Sequence, residues 1–235
     1  MTDRVDFHSH ILPGVDDGSK TVEESLELLR MQAQQGVAQV VATPHFYANH
    51  DTPERFLRRR AAAWEALREA MAQEAGLPQV ILGAEVYYFP GISDSEALPQ
   101  LTIGQKSYMM LEMPAVPWTQ NMYREIENIY AKHGITPIIA HIDRYINPLR
   151  YRQILMQLEE LPVLVQANSA FFLRPMTAPL ALRMLKENRI HLLGSDCHDC
   201  IRRRPNLGEA VQKIEKHLGL AELERIGEYE KTVLL

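Results

Sequence analysis

The sequence predicts an α/β protein in which about seven apolar strands alternate with helices and curl into a closed or nearly closed parallel (β/α) barrel. Short apolar runs alternate with longer helical patterns through the 235 residues. The runs are apolar throughout rather than at every second position, as strands covered on both faces are. Each run also ends at a residue able to bind a metal or a polar ligand, and reactive side chains in such barrels stand at the C-terminal strand ends.

The elements follow in order. Val5-Asp6-Phe7 runs into His8. A helix starts at Val22 with Thr21 as N-cap, Glu24 at the capping-box position and Gly36 closing it. Val40-Val41-Ala42 runs into His45, and the next helix starts after Thr52, with Pro53 in its first turn, and ends near Gly76. Val80-Ile81-Leu82 leads to Glu85, and Tyr108-Met109-Met110-Leu111 leads to Glu112. A helix from Met122 to His133 stops at Gly134, after which Pro137-Ile138-Ile139-Ala140 delivers His141. Val163-Leu164-Val165 leads to Asn168, and Ile190-His191-Leu192-Leu193 leads through Gly194 to Asp196 and His198.

With 46% hydrophobic and 23% charged residues and no Gly/Ser-rich or Pro-rich linker, residues 1–235 read as one domain. The net charge of -5 excludes a nucleic-acid binder that neutralises phosphates over a broad basic face. The run Arg58-Arg59-Arg60 lies among Ala, Glu and Leu and reads as a solvated helix face. Met1 to Phe7 carries Asp3, Arg4 and Asp6 and has no apolar core, which does not suit a secretory leader, and no stretch approaches the ~20 apolar residues that span a bilayer. The two cysteines, Cys197 and Cys200, are too few for a disulfide framework, so a reducing cytoplasm is the expected location.

His8-Ser9-His10 puts two imidazoles on one side of an extended chain, because side chains two apart share a face. Alone the pair is weak evidence. It is supported by Asp16 or Asp17, His45, Glu85, Glu112, His141, Asp196 and His198. Imidazole and carboxylate without thiolate suit Zn, Mn or Fe, and so many donors can hold two or three ions while leaving positions for water and substrate. Of the two adjacent acids, one serves the centre and the other bonds the turn backbone beside Gly18. His50, His133, His191 and His217 fall on loops or helical patterns and read as structural.

These residues resemble the PHP (polymerase and histidinol phosphatase) metalloesterases over nearly the whole chain, and among them the bacterial capsule-associated protein-tyrosine phosphatases of the CpsB/CapC/YwqE type. The resemblance rests on His8-Ser9-His10-Ile11-Leu12-Pro13, Asp16-Asp17-Gly18, Thr43-Pro44-His45, Gly83-Ala84-Glu85, Ala140-His141 with Arg144-Tyr145, and Ser195-Asp196-Cys197-His198. It implies a distorted, TIM-like seven-stranded (β/α) barrel. It also implies a three-metal centre, usually manganese, on His8, His10, Asp17, His45, Glu85, Glu112, His141, Asp196 and His198, which selects Asp17 from the acidic pair. Arg144 and an arginine after the last motif would hold the phosphate. The second is either Arg203, by ungapped alignment, or Arg204, by its Arg-Pro dipeptide, and Asp199 stands where the family leads one to expect Asn.

The implied activity is hydrolysis of phosphotyrosine by metal-bound hydroxide, on a tyrosine-phosphorylated protein such as a bacterial tyrosine kinase controlling polysaccharide synthesis. A histidinol-phosphate or other small phosphomonoester phosphatase shares the same centre, and a non-catalytic metal-binding regulatory module is the reading from another class. Cys197 and Arg203 also have the spacing used by cysteine-dependent phosphatases. The residues between them, His-Asp-Cys-Ile-Arg, lack the glycines of a phosphate-cradling loop, so Cys197 reads as a small buried residue. Phe46, Tyr47, Tyr87, Tyr88, Phe89 and Trp118 follow the ligand-bearing strands and could line an entrance for an aromatic ring.

Overall fold

The computed structural model describes residues 4–146 and 151–235, so Asp3, one of the charges set against a secretory leader, lies outside the described residues. Nine strand segments appear where about seven strands are expected. Two of the expected strands are broken by a step. β2 (Val37–Ala42) stops at Thr43-Pro44 and resumes as β3 (His45–Phe46), and β4 (Gln79–Leu82) stops at Gly83-Ala84 and resumes as β5 (Glu85–Tyr87). Pro44 supplies no N–H to a ladder, and a side chain on Gly83 would press on Ile103 and Val41. Across the step the two chains stay in register through Gly83 N–H to Ala42 O (2.8 Å) and Glu85 N–H to Pro44 O (3.0 Å).

The remaining segments are β1 (Arg4–Ser9), β6 (Tyr108–Glu112), β7 (Thr136–Ile139), β8 (Leu164–Asn168) and β9 (Leu192–Gly194). All ladders are parallel, in the orders β1-β2-β4 and β3-β5-β6-β7-β8-β9. The result is a parallel sheet curled into a half-barrel. A ladder completing a seven-stranded barrel is not present between β9 and β1. Their junction is an isolated Ser9–Cys197 bridge with backbone bonds from Asp196 N–H to His8 O (2.7 Å) and from His10 N–H to Cys197 O (2.9 Å). β9 is only three residues long, and the chain beyond it turns into the loop that carries Asp196 and His198.

Helices begin and end where local chemistry dictates. Thr21 caps α1 (Val22–Gln34) by accepting the Glu24 N–H, while Glu24 itself accepts from Lys20 N–H rather than from the cap residue. Thr52 and Pro53 open α2 (Pro53–Met71), and Gly134, at φ 64°, closes α3 (Gln120–His133). Further along are α4 (Tyr151–Glu159), α5 (Ser169–Leu173), α6 (Ala178–Lys186), α7 (Leu207–Leu218) and α8 (Leu220–Leu234). The arginine run on α2 is not simply a solvated face. Arg59 donates to Val15 O (2.6 Å) and Arg60 to Gly83 O (2.7 Å), so two of the three tie the helix to loops carrying the site, although Arg58 and Arg59 are both exposed. No described helix is long and apolar enough to cross a membrane.

The sheet separates two cores. The larger packs the strands' outer faces against the helices, with Leu28, Phe56, Ile126, Leu185 and Ile214 fully buried. The smaller lies inside the curl, where Val5, Phe7, Val41, Met110, Ile138 and Leu192 meet Val233 of α8. Glu230 of α8 is drawn into this floor, and burial together with the nearby Asp6 carboxylate pushes its pKa up to about 8. A raised carboxyl pKa favours the neutral form in the folded state. Stability is therefore fullest below the ordinary glutamate pKa and falls by up to about 1.4 kcal/mol per pH unit as pH rises toward 8. Glu230→Gln is expected to remove this slope, read as urea midpoints of both proteins at pH 5.5 and pH 8. Equal slopes would contradict it.

Candidate metal centre

At the C-terminal strand ends the donors converge. His8 Nε2 lies 3.2 Å from His10 Nε2. Glu85 Oε2 lies 3.1 and 3.3 Å from these two nitrogens, and Asp196 Oδ1 lies 3.6 and 3.4 Å from them. Four ligands at roughly 2.1 Å from one tetrahedral ion sit about 3.4 Å apart, so these spacings are those of a coordination shell. Register explains the meeting, since β3 places His45 directly beside Glu85 and β6 places Glu112 beside Tyr87.

Three overlapping donor groups result, with the donor atoms of each group within 4.8 Å of one another: His8, His10 and Glu85; His45, Glu85 and Glu112; and His10, Asp17, His45 and His198. His141 joins them through Nε2, 2.7 Å from Glu85 Oε1 and 3.5 Å from Glu112. Glu85 Oε2, Glu112 Oε2, Asp196 Oδ1, His45 Nδ1 and His198 Nε2 are buried and have no hydrogen-bond partner among the described residues. Glu85 Oε2 and His45 Nδ1 come within 3.0 Å of each other without hydrogen-bond geometry, so they face a shared space. Orphaned buried groups of this kind cost several kcal/mol unless a cation takes them up, and the residues present fit metal ions well.

The electrostatics agree. Burial opposes a charge on His141, yet hydrogen bonds to Glu112 and Glu85 outweigh it and push its pKa up to about 9. Burial also opposes ionisation of Glu85, but His8, His10, His141 and His45 hold its carboxyl well below the usual range. The pocket thus demands positive charge at its middle.

The Nδ1 atoms of His8, His10 and His198 have partners of their own, the Gln166 Oε1, the Asp16 carboxylate and the Asp196 carbonyl oxygen. Asp16 Oδ2 binds His10 Nδ1 (2.7 Å) and accepts His45 N–H (2.9 Å), while its Oδ1 accepts Gly18 N–H (2.9 Å). The two adjacent acids stand in different places. Asp17, 67% exposed, faces His45 and His198 at 3.5 and 3.4 Å, and Asp16 holds the turn. Its grip on His10, which leaves Nε2 free, is the part the sequence did not announce.

Arg144 and Arg203 stand at the rim and both reach Asp196 Oδ2, at 2.6 and 2.8 Å. Arg204 instead turns away to Glu209 on α7 (2.8 Å), so the structure brings only Arg203 of that pair to the centre. The remaining histidines have structural partners or lie outside the donor groups: His133 meets Ser93 O, His191 accepts Val165 N–H, His217 meets Lys213 O, and exposed His50 lies near Tyr47. Among the aromatics, Phe46 and Tyr88 are core residues, and Phe89 and Trp118 pack on that core. Tyr47 and Tyr87 are partly exposed, 5.4 Å apart, with Tyr47 5.1 Å from the His45 ring.

Cys197 is fully buried, its sulfur 3.6 Å from the Gln32 amide, and burial pushes its thiol up to about 12, the wrong direction for a nucleophile. The following loop offers no phosphate cradle either. The Asp199 carboxylate already takes the N–H groups of Ile201 (2.7 Å), Arg202 (2.5 Å) and Arg203 (3.3 Å). Cys197→Ala is expected to keep its metal content and hydrolytic activity, and the native thiol to resist iodoacetamide until the protein unfolds. Rapid alkylation of the folded protein with loss of activity would reverse that assignment.

Comparison with known proteins gives the same picture. Tyrosine-protein phosphatase CpsB of Streptococcus agalactiae serotype III (strain NEM316) is 28% identical over 225 residues, covering 92% of this chain and 91% of the relative. Tyrosine-protein phosphatase YwqE of Bacillus subtilis (strain 168) is 28% identical over 223 residues, covering 92% and 85%. A solved structure described with YwqE from Bacillus subtilis and CpsB from Streptococcus pneumoniae as unique metal-dependent tyrosine phosphatases superposes with a TM-score of 0.85 at 25% identity, covering 98% and 94%. The phosphotriesterase homology protein of Escherichia coli shares the fold alone, with a TM-score of 0.57 at 12% identity over 100% of this chain and 99% of that one. With the family model for capsular polysaccharide synthesis, CpsB/CapC, matching residues 4–234, the chain belongs to the CpsB/CapC family.

Proposed function

We propose that this chain is a metal-dependent protein-tyrosine phosphatase acting as one domain on a distorted seven-strand barrel. The observation that carries the reading is the pair of guanidiniums, Arg144 and Arg203, meeting over Asp196 at the edge of a pocket of unpartnered metal donors. A non-catalytic metal module has no use for them. His8, His10, Asp17, His45, Glu85, Glu112, His141, Asp196 and His198 would hold the ions, for which a three-manganese set fits imidazole and carboxylate donors, with Fe or Zn as alternatives. Such ions supply Lewis acidity and lower the pKa of water.

The chain's own residues do the rest. Arg144 and Arg203, 40% and 39% exposed, are reachable from solvent and can exchange their Asp196 contact for phosphoryl oxygens, which guanidinium forks bind in pairs. Asp16 keeps His10 from rotating. Tyr47 and Tyr87 flank the mouth with partly exposed rings that suit a phenyl group, which favours phosphotyrosine over a small alkyl phosphate. The substrate is a tyrosine-phosphorylated protein. A bacterial tyrosine kinase of polysaccharide synthesis suits the family, and a cytoplasmic location follows from that partner.

The test is hydrolysis of a phosphotyrosine peptide and of histidinol phosphate by protein stripped of metal and then given Mn. Activity on the peptide that disappears with the metal and returns with Mn supports the proposal. Preference for histidinol phosphate moves the chain to the small-substrate alternative, and activity that survives chelation overturns the mechanism.

A further inference from the structure

β8 contributes none of the proposed ligands, yet its two polar residues lie behind three of them. Gln166 is fully buried and Asn168 nearly so. Gln166 Oε1 accepts the backbone N–H of His141 (2.6 Å) and faces His8 Nδ1 (3.3 Å). Its Nε2 donates to Asn168 Oδ1 (3.2 Å), and Asn168 Nδ2 donates to Asp196 Oδ2 (2.9 Å). Asn168 N–H is held in turn by Asp143 Oδ1 (3.0 Å).

The polarity of this chain has one solution. A backbone N–H can only donate, so the Gln166 atom beside His141 must be its oxygen. The other end of that amide must then donate, which makes Asn168's near atom its oxygen and aims its NH2 at Asp196. The same Gln166 oxygen can bind His8 Nδ1 only if that nitrogen carries the proton, which leaves the Nε2 lone pair directed at Glu85 and His10.

Backbone conformation gives the arrangement a second purpose. His141 and Asp196 are non-glycine residues at φ 32° and 54°, in the left-handed region where a side chain costs about 1–3 kcal/mol. Each is a proposed ligand and each is bonded directly by one of the two amides. Gly194, paired with Asn168, leaves the space for it. A Cβ there would lie 2.5 Å from His8 Cβ and 2.9 Å from Gln166 Nε2.

We infer that Gln166 and Asn168 are positioning residues, an amide relay that sets the His8 tautomer and keeps His141 and Asp196 in strained, ligand-ready conformations. The inference rests on the metal-centre reading above. Its experiment is Mn titration of metal-free protein by calorimetry, with apo-state circular dichroism as the folding check. Gln166→Leu is expected to weaken the tightest Mn site roughly 10- to 100-fold. Gln166→Glu, which keeps the acceptor for His8 and His141 but removes the donor to Asn168, is expected to recover only part of that affinity. At saturating Mn the Leu variant should lose kcat for p-nitrophenyl phosphate with KM unchanged, because Arg144 and Arg203 are untouched. Should Gln166→Leu fail to fold, Asn168→Ala, which removes the donor to Asp196, is expected to weaken Mn binding by itself. Undiminished Mn affinity in a folded variant overturns the relay alone, whereas no Mn binding by the unaltered chain overturns the metal centre with it.

Discussion

Arg144→Ala is expected to lower kcat/KM for a phosphotyrosine peptide by about 10²- to 10³-fold, the usual effect of removing one charge-stabilising donor from a hydrolytic transition state. Arg203→Ala should act similarly. Both guanidiniums rest on the same oxygen of Asp196, so each is already held where phosphoryl oxygens arrive. Arg204→Ala should leave kcat/KM unchanged, because its partner is Glu209 on α7. Steady-state kinetics on the three variants decides the matter, and a larger loss from Arg204 than from Arg203 would falsify the assignment. Lysine at position 144 should recover little, since an ammonium keeps the charge without the planar fork.

Removing the metal should affect stability as well as turnover. His8, His10 and His141 are fully buried and Glu85 nearly so, so their donor atoms cannot turn to water when the ions leave. A ligand present at a hundred times its Kd stabilises by about 2.7 kcal/mol, which for a chain of this size raises Tm by about 5–10 °C. Calorimetry of chelated and Mn-restored protein reads the difference directly. Equal melting temperatures would mean that the carboxylates and imidazoles satisfy one another without ions. The same comparison on Asp17→Asn should show a smaller loss, because Asp17 is exposed and pays little to remain solvated.

Much of this centre was legible because metal chemistry restricts residue type. His8 and His10 share a face, Glu85, Glu112 and His141 each follow an apolar run, and the structure brings them together. The helix boundaries at Thr21, Thr52 and Gly134 were legible for a similar reason, since few residues satisfy orphan backbone groups at helix ends. The steps after Ala42 and Leu82 were not, because a broken strand and a strand followed by a loop look alike in hydropathy. Gln166 escaped for a different reason. An amide two residues from another on an apolar strand obeys the face rule that singled out His8 and His10, but neutral amides serve so many purposes that their type alone points nowhere. The arginines of α2 misled in the opposite sense, since charge suggested solvent where Arg59 and Arg60 bind carbonyls.

The bridge between Ser9 and Cys197 has a bearing on how the molecule is made. It joins segments at opposite ends of the described sequence, and His8 and Asp196 are bonded through their backbones beside it. During synthesis His8 and His10 leave the ribosome long before Asp196 and His198, so the donor group of His8, His10 and Glu85 is made well before the one that needs His198. Contacts this distant in sequence form late in folding. The centre as a whole is accordingly completed only once β9 and the loop after it have been made, because Asp196 and His198 reach His8, His10 and Asp17 from there.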